Sequence, residues 1–105
     1  MADVAAAVAA RVEAVVAELP GVDRRPVADG VELVLGDRLF AVLAPGAVEV
    51  LLDAAVAGAA VRTPDAQSSE RGPGWVRFRP TSADPFALDR AEAWLRSAHR
   101  RASGA

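Results

Sequence analysis

The chain has 105 residues, 52% of them hydrophobic and 25% charged, with a formal net charge of −2. That is the length and balance of one globular domain with a modest core, and it excludes a disordered chain. Cys, Lys and Tyr are absent and His99 is the one histidine, so disulfides, thiolate metal sites and most side chains that move protons near neutral pH are excluded.

Alanine supplies much of the apolar fraction, and the larger core candidates are Leu, Val, three Phe and two Trp. The acidic balance disfavours a general nucleic-acid binder. The charge is unevenly spread: residues 1–52 carry four Arg against eight carboxylates, and residues 53–105 carry eight against six. A local basic patch in the second half is therefore compatible with the composition. Met1 to Ala17 lacks a basic start followed by a continuous apolar run, and no stretch has the length of a membrane span. The expectation is a cytoplasmic protein without a membrane partner.

Val4, Val8, Val12, Val15 and Leu19 fall on one helical face, with Asp3 placed to cap its start and Pro20-Gly21 to end it. This predicts a helix over 3–19. Residues 22–28 read as a short edge strand, because Pro26 cannot donate to a central ladder. Strands are predicted over 31–35 and 38–44 around the Gly36-Asp37 hairpin loop, and over 47–52 after the Pro45-Gly46 turn. Asp53 to Ala60 reads as one or two helical turns. The segment 62–74, rich in Ser, Gly and Pro, reads as a long flexible loop. Trp75 to Arg79 is a returning strand. Asp84-Pro85 then starts a helix whose apolar stripe is Ala87, Ala91, Trp94, Leu95 and Ala98. Its end is expected to fray. The whole is a single α+β domain, 1–105. It is expected to be a two-layer sandwich in which an antiparallel sheet of about four to five strands carries both terminal helices on one face.

Strand alternation assigns Val31, Leu33, Leu35, Leu39, Ala41, Leu43, Val48, Val50, Leu52, Val76 and Phe78 to the helix-facing side. The outer side then holds Glu32, Val34, Phe40, Val42, Glu49, Leu51, Trp75, Arg77 and Arg79. That is an apolar centre rimmed by opposite charges. Two readings follow. In one, Glu32 and Glu49 pair across strands with Arg77 and Arg79 while the 62–74 loop folds over the centre. In the other, the face is an interface for a protein partner or a second copy, with Phe40, Val42, Leu51, Trp75, Arg77 and Arg79 as contacts.

Catalytic signals are weak. His99 has Arg96, Leu95 and Ala102 as helical neighbours and no orienting carboxylate, so it reads as a solvated helix-end residue. Ser68 and Ser69 lack a nucleophile-elbow setting. Asp23, Asp29, Glu32 and Asp37 lack calcium-loop spacing, and Gly72-Pro73-Gly74 is followed by no helix. No catalytic residue, metal or cofactor is expected. Arg62, Arg71, Arg77 and Arg79, with Trp75 among them, form the alternative surface for nucleic acid, since guanidinium groups bind phosphates and Trp stacks on bases. A small-ligand pocket between sheet and loop is the other alternative.

Leu19-Pro20-Gly21-Val22, then Gly36-Asp37-Arg38-Leu39-Phe40-Ala41-Val42-Leu43, then Gly74-Trp75-Val76-Arg77-Phe78, then a closing helix with Trp94 and Ser97, resemble the MmcQ/YjbR family of small bacterial proteins. The resemblance spans most of the chain and implies a frataxin-like α+β fold, which in that family is often labelled as DNA-binding. The chain departs from the pattern in having Arg38 where a Lys is common, and in its Ser/Gly/Pro loop. The closing Trp-Val strand and helix are also similar to the luciferase-domain family of actinobacteria. Neither resemblance supplies a catalytic residue.

Overall fold

In the computed structural model, which describes residues 3–104, the two long helices start at the aspartates the sequence points to. Asp3 Oδ1 accepts a hydrogen bond from Ala5 N at 3.0 Å and opens α1, Val4–Glu18. Asp84 Oδ1 accepts from Ala87 N at 2.9 Å and opens α3, Pro85–Ala102, with Pro85 in its first turn. Each cap satisfies a backbone donor that the helix cannot, and contributes about 1 kcal/mol.

Between them run β1 Val22–Val27, β2 Gly30–Leu35, β3 Arg38–Ala44, β4 Ala47–Leu51, α2 Ala54–Ala60, β5 Ala66–Ser68 and β6 Trp75–Phe78. The strands form one six-stranded sheet in the order β1-β2-β3-β4-β6-β5, antiparallel throughout. The fold is the expected α+β sandwich, with one more strand than the sequence suggests. The extra strand is β5, inside the segment read as a loop. Asp65 sets it in place from a left-handed backbone conformation, φ 69°. Its carbonyl accepts from Arg79 N at 3.0 Å, and its carboxylate accepts from Thr81 N at 3.2 Å.

Both sheet edges are blunted. Val27 and Gly30 flank a two-residue turn and form a hydrogen-bonded pair, so the Pro26–Val31 pair is a non-hydrogen-bonded one. The nitrogen of Pro26 therefore faces the open edge, where its missing proton denies a donor to an incoming strand. At the other edge β5 is three residues long.

The core lies between the sheet and the pair α1 and α3. Val8, Val12, Val15 and Val16 of α1 and Ala87, Ala91, Leu95, Ala98 and Ala102 of α3 are buried in one cluster with Leu33, Phe40, Ala41, Val48, Val50, Val76 and Phe78. The alternation breaks once. Leu33 pairs with Ala41 but Val34 pairs with Leu39, so Phe40 is an extra residue in β3. This bulge inverts the strand's parity. Phe40 turns into the core, 1% exposed, where its ring meets His99 edge-on with centroids 5.6 Å apart. Leu39 moves out beside Val34. The expected placement of Phe40 on the outer face and of Leu39 on the inner face is thus reversed. At the end of α3 Ala102 is buried, and its carbonyl accepts from Arg38 Nη1 at 3.2 Å.

Gly30 fixes the β1–β2 hairpin. Its φ is 157°, and a Cβ there would strike the Leu43 carbonyl of the neighbouring strand. Gly36 has φ 66° but open space around it. Gly30→Ala is therefore expected to destabilise the fold by at least about 2 kcal/mol, against about 1 kcal/mol for Gly36→Ala. Urea unfolding of the two variants checks the order.

Candidate functional site

The outer sheet face is built by one row of cross-strand neighbours: Arg25, Glu32, Val42, Glu49, Arg77 and Gln67, one from each strand. Leu51 pairs with Trp75 beside it. The buried residues of all three helices belong to the cluster on the opposite side. Among the described residues, therefore, no helix covers this face.

Glu49 is its centre. It is a buried carboxylate, 9% exposed. Arg71 Nε donates to Glu49 Oε2 at 2.6 Å, Ser69 Oγ donates to Oε1 at 2.8 Å, and Arg77 Nη1 stands 4.0 Å from Oε1. Burial works against the charge of Glu49. The hydrogen bonds from Arg71 and Ser69 and the charges of Arg71 and Arg77 outweigh it, and hold the carboxyl below its usual range. The guanidinium of Arg71 also lies over the Trp75 ring, 5.7 Å from its centroid. The loop after β5 is thus clamped onto the sheet through Ser69 and Arg71.

Of the expected contacts, Val42 is 4% exposed, Leu51 and Trp75 are half-buried, and Phe40 is absent from this face. Val42 is nearly closed off at the bottom of a groove, while Leu51 and Trp75 keep part of their surface open. The ion pairs also differ in part from expectation. Glu49 meets Arg77 as predicted, but Glu32 pairs with Arg25 at 3.7 Å. Arg79 donates to the Pro45 carbonyl at 3.3 Å and has no carboxylate partner among the described residues. Arg62 is exposed on the turn after α2 and lines neither groove of this face.

Two open grooves share the Glu49–Arg71–Arg77 wall. One, of about 570 Å³, extends along Gln67 to Glu70, between sheet and loop. The other, of about 530 Å³, runs from Arg77 and Arg79 to Asp29 and Glu32 of the β1–β2 hairpin. The charges are unevenly spread along the second: Arg71, Arg77 and Arg79 gather around the single carboxylate of Glu49 at one end, and Asp29 and Glu32, the latter beside Arg25, stand at the other. Sequence reading missed the clamp, because it weighed Ser69 only as a nucleophile and Arg71 only as a phosphate ligand.

Elsewhere the chemistry is sparse. His99 Nε2 lies 2.9 Å from the Pro20 carbonyl, so the partly exposed helix-end ring also ties α3 to the segment after α1. Among the described residues no cluster of His, Asp and Glu could hold a metal ion, and no helix is long and apolar enough to cross a membrane. Comparison with family models, curated proteins and solved structures finds no match.

Glu49 titrates lower in the fold than in the unfolded chain. Its stabilisation is therefore present above the unfolded carboxylate value near 4.5 and is lost as the pH falls below it. Glu49→Gln is expected to cost about 1–3 kcal/mol at pH 7, at the lower end because Arg71 is partly solvated. The difference from wild type should shrink below about pH 4. Denaturant midpoints at pH 7 and pH 3 measure it.

Proposed function

We propose that the chain is a non-catalytic binding module, of the kind its MmcQ/YjbR-like sequence pattern suggests, whose outer sheet face docks a second copy of itself. The observation that carries this reading is the uneven charge, arginine-rich at one end and acidic at the other, on a face that no helix covers among the described residues. In a two-fold dimer the same patch meets itself. Laying two such faces together with opposite direction sets Arg77 and Arg79 of one copy over Asp29 and Glu32 of the other. Arg79 and Asp29 are exposed and make no side-chain ion pair among the described residues, so both can pair across the interface. Trp75, Leu51 and Val42 supply the apolar floor. The blunted edges argue against association by strand addition instead.

Nucleic-acid binding draws less support. Arg71 and Arg77 are engaged by Glu49, and Arg71 occupies the Trp75 ring on which a base would stack. Arg62 stands away from both grooves.

Light scattering over a concentration series should give a dimer whose affinity falls with salt. Arg79→Glu should be monomeric, and so should Asp29→Arg. Mixing the two variants should restore a pair, because one now presents acidic ends and the other basic ends. A wild-type monomer at low salt, or variants that fail to pair when mixed, would overturn the reading.

A further inference from the structure

The two long helices do not cover the inner face evenly. Six strands at about 4.8 Å spacing span about 24 Å, whereas two packed helices stand about 8–10 Å apart. α1 is also poor in bulk, with sequence Val-Ala-Ala-Ala-Val-Ala-Ala-Arg-Val over its first nine residues. A groove of about 170 Å³ is left between α1 and the sheet, on the side opposite the charged outer face. Val8, Ala9 and Val12 form its helix wall, and Val31 and Leu43 its floor. Val31 and Leu43 are only half-buried although they lie on the inner face.

The polar side chains in its lining are Glu13 and Arg24, which face each other across the gap between α1 and β1. Arg24 Nη1 meets the two oxygens of Glu13 at 2.8 and 3.1 Å. Its Nη2 and Nε make no hydrogen bond among the described residues. A guanidinium carries five donors in a planar fork and accommodates a second carboxylate. Glu13 holds that fork against the apolar lining.

We infer that this groove binds a small monocarboxylate with a compact hydrocarbon tail. The tail lies between α1 and the sheet, and the carboxylate rests on the free edge of Arg24. Size sets the tail: an apolar cavity of about 150 Å³ takes up one benzene ring. A single aromatic ring or a short branched chain therefore fits, and a long acyl chain does not. The lining offers no donor or acceptor deeper in, so a tail bearing polar groups would lose hydration without compensation. The site does not rest on the self-association reading, since it uses the other face of the sheet.

Phenylacetate and toluene are the probes, titrated into the full chain while the methyl resonances of Val8, Val12, Val31 and Leu43 are followed by NMR. Both should shift these methyls, phenylacetate at about millimolar concentration. Arg24→Gln should weaken phenylacetate roughly tenfold and leave toluene unchanged, since only the charge-assisted hydrogen bonds are lost. Ala9→Leu, at an exposed position, should fill the groove and remove both responses at an unchanged thermal midpoint. The inference fails if phenylacetate shifts residues around Arg77 and Arg79 instead, or if Arg24→Gln weakens both probes equally. It fails too if Ala9→Leu retains binding, or if Ala9→Leu alters the solution mass while the wild type ignores both probes. That last result would assign the groove to a second copy of the chain.

Discussion

The inward turn of Phe40 is the constraint on which the rest of the structure depends. α3 offers the sheet a face of Ala87, Ala91, Ala98 and Ala102, with Leu95 as its one large buried side chain. Such a helix approaches the sheet closely but cannot fill the space by itself, and interiors pack to near-crystalline density. The sheet must therefore supply the bulk. Phe40 and Phe78 are the largest fully buried side chains, and both point from strands toward α3. Phe78 meets Trp94 edge-on at 5.0 Å, and Phe40 meets His99 at 5.6 Å. Burying a Phe stabilises by about 1.5–3 kcal/mol, and the bulge that turns it inward leaves one residue of β3 unpaired.

The bulge has a second effect on the other side of the sheet. With Phe40 withdrawn, the outer face loses its aromatic centre on β3 and becomes a row in which Glu32 and Glu49 flank Val42, with Arg25 and Arg77 beyond them. A buried carboxylate there is tolerable only when its lone pairs are used, and Glu49 uses them on Ser69, Arg71 and the charge of Arg77. That requirement orders the loop from Ser69 to Trp75. Gly74 closes it, with φ 83° and only 2.8 Å between a hypothetical Cβ and the Leu52 carbonyl. A segment with the composition of a flexible loop is thus held by one buried charge and one glycine.

How much of this was legible in the sequence depends on the interaction in question. Caps and periodicity act within a few residues, and Asp3, Asp84, the valine stripe of α1 and the glycine turns lie where the pattern puts them. The bulge was not legible, because Arg38 to Ala44 is apolar on both faces and alternation carries no phase there. β5 was hidden for a different reason. Its three residues, Ala66-Gln67-Ser68, have no strand propensity of their own. They pair because Asp65 and Arg79 hold the ends in register. The Glu49 clamp joins residues about twenty apart in sequence, a distance that no local rule reaches. Its one signal was a glutamate at a central position of an otherwise apolar strand, Ala47–Leu51.

The helix pair shows the same dependence from the other side. Arg11 donates to Asp89 and Glu92, and Arg96 to Glu92 and Glu18, so two guanidinium groups and three carboxylates bridge α1 and α3. The hydrogen bonds from Arg11 to Asp89 and Glu92, and from Arg96 to Glu92 and Glu18, raise the affinity of both arginines for their protons. Exposed pairs of this kind contribute little one at a time. Their consequence is geometric: they link α1 to α3 along their exposed seam. An α1 rich in alanine leaves Val31 and Leu43 half-covered, and the Glu13–Arg24 pair is its link to the sheet edge. The apolar groove is therefore a product of the same scarcity of bulk that drew Phe40 inward. On the α3 side a strand could donate an aromatic ring, and on the α1 side none was within reach.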